Sequence, residues 1–232
     1  MRKLAVIPAR SGSKRIVGKN KRDFLGKPII LYAVEAAIKS GLFDEVMVYT
    51  DDDDIVTIIS GTGAHVPFKR NPKNADDQAT LSDVMLEVLT HYAEDAGFDY
   101  VCMILPTAAL LKPQALKNAY EVLVEKDYSS VIPVVRFSYP IQRALHINDQ
   151  YKLTFFDKKY QFTRSQDLQP AYHDAAQFYW IRVTDFMNEQ TIFMQNTGAL
   201  ELNEDEVQDI DTVSDWKLAE LKYRVLNKSD EA

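Results

Sequence analysis

Apolar residues recur along this chain in two rhythms, and the way they alternate predicts its architecture. Lys3-Leu4-Ala5-Val6-Ile7-Pro8 is an apolar run of strand length. Residues 28–40 carry Ile30, Ala33, Val34, Ala37 and Ile38 at helical spacing, with Pro28 in the first turn and Gly41 just past the end. Residues 46–49 read as a strand and residues 64–68 as a short one. Residues 80–96 place Val84, Met85, Val88, Leu89 and Tyr92 on one helical face. Residues 100–105 form a continuous apolar run suited to a central strand, a helix follows from about 113 to 125, and residues 131–135 are another strand. This alternation predicts an α/β fold of Rossmann-like type, with a mostly parallel sheet flanked by helices.

The alternation breaks between about 138 and 170. There, residues 145–153 alternate around Asn148-Asp149 and predict a β-hairpin. The sheet resumes near 175–183, with Phe178 and Trp180 facing the core, and residues 211–227 end the chain as a helix. Thr212 with Asp215 resembles a capping box. The length of 232 residues suits a single α/β domain with one excursion at about 138–170. An excursion this rich in Tyr, Phe and Ile needs a partner surface, and the residues alone leave open whether a second copy, as in a homodimer, supplies it. No internal repeat or low-complexity tract interrupts the pattern; only the last few residues look loose.

Charge changes the picture more by its placement than by its total. The net charge is −7, yet residues 1–27 hold nine Lys and Arg against Asp23 alone, leaving +8 there and −15 elsewhere. An acidic protein with one basic end suits a small anionic ligand and not the extended backbone of a nucleic acid. The single cysteine, Cys102, falls in an apolar run and reads as a buried thiol. No segment has the length of a signal peptide or a membrane span, so no membrane partner and a cytoplasmic location are expected.

The basic end has a form. After the first strand comes Ala9-Arg10-Ser11-Gly12-Ser13-Lys14-Arg15-Ile16-Val17-Gly18-Lys19-Asn20. Small residues let amide groups approach an anion, and glycines reach conformations that other residues avoid. A Walker A loop fails here: five residues separate Gly12 from Gly18, and Asn20 stands where a hydroxyl belongs. In an α/β sheet this loop lies at the carboxyl ends of the strands, where ligands bind. Two acidic stretches compete as cation sites. Asp51 to Asp54 is better read as a helix start, because carboxylates there satisfy free amides and the dipole. In Asp209-Ile210-Asp211, a strand would send both carboxylates to one side and Ile210 to the core. Oxygen ligands of this kind suit Mg²⁺, while the plainer reading has Asp211 opening the last helix and Asp209 in solvent. His65, His91 and His146 read as structural, and His173 as a hydrogen-bonded histidine.

The run I-P-A-R-x-G-S-K-R-x-x-x-K-N, here Ile7 to Asn20, resembles the signature of the CMP-sugar-acid synthetases, the cytidylyltransferases of nonulosonic acids. The resemblance spans nearly the whole chain. It implies a Mg²⁺-dependent nucleotidyltransferase whose substrates are CTP and a nonulosonic sugar acid, with the excursion forming a hairpin subdomain that packs on a second subunit. It implies catalytic roles for Arg10, Lys19, Asp209 and Asp211, with the two aspartates holding the metal. Nucleotide contacts fall to Arg10, Ser11, Gly12, Ser13, Lys14, Asn20, Arg70 (before Pro72) and Thr80. The Pro106-Thr107 turn also fits, although Ala109 and Leu111 replace the proline and arginine often found there. Residues 139–145, 163–168 and 172–180 resemble the pseudaminic acid branch, which directs Gln142, Arg143, Arg164, Gln166, Tyr172, His173, Asp174 and Gln177 to the sugar. The implied reaction is attack of the anomeric hydroxyl on the α-phosphate with loss of pyrophosphate, serving surface glycan or flagellin glycosylation. A synthetase for N-acetylneuraminic or legionaminic acid is the near alternative, and a non-catalytic nucleotide-binding protein the remote one.

Overall fold

The computed structural model describes residues 1–71, 79–93 and 97–228 of the chain. In chain order its strands are β1 (Lys3–Ala9), β2 (Asp23–Phe24), β3 (Lys27–Pro28), β4 (Glu45–Thr50), β5 (Tyr100–Ile104), β6 (Ser130–Arg136), β7 (Leu145–Ile147), β8 (Leu153–Phe155), β9 (Tyr172–Asp174), β10 (Phe178–Arg182) and β11 (Thr197–Glu201). The helices are α1 (Ile30–Ser40), α2 (Asp53–Ile59), α3 (Leu81–Tyr92), α4 (Pro113–Glu125), α5 (Val183–Glu189) and α6 (Val213–Lys228).

The main sheet runs in the order β11-β6-β10-β5-β1-β4, with β9 beside β6. β1 lies parallel to β4 and β5, and β11 parallel to β6. β10 runs the other way between β5 and β6, and β9 is antiparallel on β6. The expected mixed α/β fold with a mostly parallel sheet is therefore present. Because successive strand residues face opposite sides, β1 sends Ala5, Ile7 and Ala9 into a core beneath α1, α2 and α4, and Leu4 and Val6 into a second core beneath α3 and α5. Cys102, Phe178 and Trp180 are fully buried.

Several boundaries differ from the sequence pattern. Pro28 pairs in the short β2–β3 ribbon, so the first helix begins at Ile30. Residues 64–68 do not form a strand; only His65 bridges to Met47. The strand expected over 175–183 is shorter, because Ala176 takes a left-handed φ of 49° and starts a new direction. α3 starts where Thr80 and Asp83 form a reciprocal capping box, and residues 94–96 of the expected helix lie outside the described residues. The last helix starts at Val213, with the Asp215 amide donating to Thr212 Oγ1 and the Thr212 amide to Asp215 Oδ2. The loose-looking end, residues 229–232, also lies outside the described residues. The excursion does hold a hairpin, with β7 antiparallel to β8.

The carboxyl ends of β1, β4, β5, β6 and β11 share one edge of the sheet, and the reversed β10 begins there. That edge gathers the basic loop, the residues after β5 and the segment between β11 and α6.

Candidate active site

Burial brings the two charged ends of the chain together. Ile16 from the basic loop and Ile210 from between the aspartates sit in one small core with Phe24, Ile29, Tyr32, Ala109, Trp216 and Ala219. Phe24 meets Tyr32, Trp216 and Tyr223 edge to face, with ring centroids 5.3, 5.6 and 5.9 Å apart. Both charged segments are thus pinned by an apolar side chain, and their polar residues are left facing the cavity between them.

The loop takes its shape from few contacts. Gly18 adopts the left-handed region (φ 61°) and opens a short 3₁₀ turn over Lys19–Lys21. Gly12 does not use that freedom; among the described residues nothing lies within 4 Å of where its Cβ would be, so its backbone is open to an approaching group. Ser11 does not line the cavity: its amide and hydroxyl both donate to Asp51, at 2.9 and 2.7 Å, tying the loop to the end of β4. Burial alone would raise the Asp51 pKa, but the Ser11 hydrogen bonds outweigh it and the net direction is down. The Asn20 amide donates to the Arg10 carbonyl at 3.0 Å. The acidic run behaves as a helix start: Asp52 caps α2 through the Asp54 amide, and Lys21 pairs with Asp52 and Asp54.

The cavity holds about 470 Å³. Arg10, Ser13, Lys14, Arg15, Lys19, Asn20 and Arg70 line one part of it, Asp209 and Asp211 another, and Pro8, Leu81, Val84, Leu105, Pro106 and Thr107 complete the wall. Asp209-Ile210-Asp211 is not a strand, and no strand among the described residues pairs with it. Its carbonyls are satisfied by side chains instead: Lys19 Nζ donates to the Ile210 carbonyl at 2.6 Å. Ile210 faces the core as expected, and both carboxylates reach the cavity. Arg15 pairs with Asp211 at 2.6 Å, and Lys19 Nζ lies 3.8 Å from the same oxygen.

Burial weighs on the charged groups here. The Asp209 carboxyl is pushed above its ordinary value by burial and then by Asp211. Burial pulls the Lys19 pKa down against the opposing pull of Asp211 and Asp209. Arg70 is buried, its guanidinium 5.7 Å from the Tyr49 ring centre, and burial lowers its pKa too. Pro72, which follows it, lies outside the described residues.

Other expected contacts sit elsewhere. Thr80 does not line the cavity; its hydroxyl donates to Asp83 at 2.7 Å within the capping box. Of the sugar-directed residues, none lines this cavity among the described residues. Gln142 donates to the Gln169 carbonyl, Arg143 reaches Ser165 at 3.5 Å, and Arg164 pairs with Asp167 at 2.8 Å. Gln166 lines a separate cavity of about 460 Å³ at the end of β6. Tyr172 and His173 are exposed on β9; His173 Nδ1 contacts the Asp174 carbonyl, and its ring meets Phe137. Asp174 accepts the Tyr179 hydroxyl at 2.7 Å, and Tyr179 is close enough to Asp209 to feel its charge. Gln177 is buried and donates to the Glu206 carbonyl at 2.8 Å. His65, His91 and His146 each find a structural partner in Glu45, Phe68 and Thr154. The sequence pattern reads Asp51 as part of a helix start and Val84 as part of a helix's apolar face, and it gives no site role to Tyr179 or Leu81.

A family model described as cytidylyltransferase matches residues 4–225. Over 232 aligned residues the chain is 40% identical to a pseudaminic acid cytidylyltransferase of Campylobacter jejuni, covering 99% of each chain. It is 33% identical to a CMP-N,N'-diacetyllegionaminic acid synthase of Legionella pneumophila, covering 98% of each. Among solved structures, a CMP:2-keto-3-deoxy-manno-octonic acid synthetase complexed with CTP matches with a TM-score of 0.69 at 18% identity, covering 98% of this chain and 100% of that one. That last likeness concerns the fold alone.

Proposed function

The chain belongs to the cytidylyltransferase family, and from that premise we propose that it transfers CMP from CTP to pseudaminic acid. One observation carries the reading. A cationic loop and a carboxylate pair face one cavity at the carboxyl edge of the sheet, in a chain that aligns end to end with a pseudaminic acid cytidylyltransferase at 40% identity. The anomeric hydroxyl oxygen of the sugar acid bonds to the α-phosphorus of CTP. The bond from that phosphorus to the bridging oxygen breaks, pyrophosphate leaves with the electron pair, and the hydroxyl proton passes to water.

Arg10, Lys14 and Arg70 hold the triphosphate, and the open backbone at Gly12 lets its oxygens approach the loop closely. Lys19 stabilises charge gathering on the α-phosphate in the transition state, a role that partial burial strengthens. Asp209 and Asp211 suit a hard divalent cation, because two carboxylates separated by one residue face the same cavity and offer only oxygen ligands. Among the described residues no group of three or more His, Cys, Asp or Glu is placed to hold a metal. Mg²⁺ fits that economy, since it takes one or two carboxylates and completes its shell with water and phosphate oxygens. When bound, it would supply Lewis-acid screening of the reacting phosphate.

The exposed apolar surface of the excursion is read as the face of a homodimer. No helix among the described residues is long and apolar enough to cross a membrane, and dependence on CTP fits a cytoplasmic location. The test is pyrophosphate release with CTP and Mg²⁺, comparing pseudaminic, N-acetylneuraminic and legionaminic acids. Release with pseudaminic acid in clear preference supports the proposal; preference for another acid keeps the reaction and moves the substrate. Asp211→Asn is expected to abolish turnover while CTP binding, followed by calorimetry, stays measurable. Unchanged turnover would remove the aspartate from the mechanism.

A further inference from the structure

The two aspartates stand on a segment with no strand to pair with, so something else must fix where they point. Between β11 and α6 the chain passes through a short 3₁₀ turn, Glu204–Glu206, and then runs to Asp211 outside any helix or strand. A backbone of this kind that is partly buried must find its hydrogen bonds outside a ladder. Lys222, half-buried on α6, donates from Nζ to the Glu204 carbonyl and to the Val207 carbonyl, both at 2.7 Å. Gln177, buried at the start of β10, donates from Nε2 to the Glu206 carbonyl at 2.8 Å. The Gln177 carbonyl also accepts from the Leu105 amide at 2.8 Å, and Leu105 belongs to the cavity wall. One residue therefore ties the far wall of the cavity to the segment carrying the aspartates.

We infer that Lys222 and Gln177 are positioning residues that hold the 204–207 stretch in place and thereby fix the Asp209 and Asp211 carboxylates. The inference rests on the reading of those carboxylates as the cation-holding pair. Neither residue lines the cavity that holds the two carboxylates. Their action is geometric. Asp209 lies two residues beyond the Val207 carbonyl that Lys222 grips, and on its other side Lys19 grips the Ile210 carbonyl. Asp209 is thus flanked by two ammonium-to-carbonyl clamps, one from each end of the chain. The Asp211 amide in turn donates to Asp215 Oδ2 at 3.1 Å, so the segment is also fastened to the first turn of α6. Lys222 sits further along that same helix, which makes α6 the base on which the carboxylate pair is mounted. Glu206 itself is held from behind: Lys112 pairs with its carboxylate at 2.8 Å, and Asn203 donates to it at 3.0 Å.

This assigns Gln177 a task different from the sugar contact that the sequence suggested. Its side-chain amide is spent on a backbone carbonyl inside the protein, away from the cavity. An outer partner of a metal ligand generally changes cation affinity more than it changes the affinity of a substrate bound elsewhere, typically by about tenfold or more.

The test uses the intact protein and four variants: Lys222→Met, Lys222→Arg, Gln177→Leu and Asp211→Asn. Mn²⁺ binding is followed by electron paramagnetic resonance without substrates, and the Mg²⁺ dependence of pyrophosphate release is measured separately. Lys222→Met and Gln177→Leu are expected to weaken Mn²⁺ binding and raise the half-saturating Mg²⁺ concentration by about tenfold. The KM for CTP should move less than about twofold, and Lys222→Arg, which keeps donors, should recover most of the loss. Circular dichroism identifies any variant that fails to fold; Lys222 lies on an outer helix, so its variants keep the test open if the Gln177 change unfolds the core. Loss of Mn²⁺ binding in Asp211→Asn with wild-type binding in both Lys222→Met and Gln177→Leu overturns the inference alone. Wild-type Mn²⁺ binding in Asp211→Asn overturns the carboxylate reading, and the inference with it.

Discussion

Asp209 shows how a residue suited to a task is poorly suited to the fold that carries it. Burial and the neighbouring Asp211 raise its pKa, so the folded chain binds this proton more tightly than the unfolded chain does. By linkage, the stabilisation belongs to the protonated form: it is fully present below the unfolded-state pKa and is lost as pH rises through the folded-state value. At neutral pH without divalent cations the ionised carboxylate is therefore a net cost. Asp209→Asn copies the neutral form, and its melting temperature in chelator at pH 7 should exceed that of the unaltered protein, by about 2–4 °C for each kcal/mol recovered. The difference should close as pH falls through the ordinary aspartate range, near about 3.9. Excess Mg²⁺ should favour the unaltered protein. An asparagine variant no more stable at pH 7 would mean that Lys19 and Arg15 already neutralise the site. The same variant is expected to lose turnover, so stability and activity move in opposite directions at one position.

At the scale of elements, what was legible depended on whether a segment's partner is written nearby. β1, β5 and α4 follow from local apolar rhythm, and the capping box at Thr212 follows from three-residue spacing, whereas Thr80, which the resemblance directs to the nucleotide, proves to be a cap of the same kind. The basic loop was legible because its signature is contiguous. The Asp209–Asp211 segment was recognised by its residues but given the wrong geometry: two-residue alternation reads as a strand, while its true partners are side chains, Lys19 at 191 residues' separation among them. The reversal of β10 left no local trace either, since a strand's direction depends on where the excursion returns the chain. β11 carries a further constraint of this non-local kind. Gly198 lies in β11 opposite Val131, and a Cβ there would run into the Tyr128 ring. Gly198→Ala should lower stability by about 1–3 kcal/mol, measured by urea unfolding, because the ring and the strand must separate. Adding Tyr128→Ala should recover part of that loss; a destabilisation that the second change leaves untouched would place the strain elsewhere.

At the scale of the whole molecule, the excursion is the feature that a single chain does not explain. Ile147, Leu153, Phe156 and Phe162 are 64%, 60%, 71% and 90% exposed, and Tyr139 is 55% exposed in the same region. Large apolar side chains scattered singly on a surface are ordinary, but a group confined to one hairpin and its flanks marks an interaction face. The proposed homodimer would cover that face, and a hairpin of two three-residue strands, marginal alone, would gain stability by such packing. The sugar-directed residues point the same way. Gln142, Arg143, Arg164 and Gln166 lie on the excursion and do not line the cavity of their own chain. In the proposed homodimer, a partner's excursion is the source that would deliver them to the sugar acid. Ile147→Asp places a charge in the middle of this face, far from the main sheet. It is expected to convert the dimer to monomer in sedimentation velocity with the far-ultraviolet spectrum unchanged. CTP affinity should persist, because the basic loop and Arg70 belong to one chain, whereas turnover should fall by at least about tenfold as the sugar acid loses its contacts. A monomer that keeps full turnover would show the excursion to be dispensable for the reaction and would leave Asp174, joined through Tyr179 to the edge of the aspartate site, as the sugar-directed residue still near the chemistry.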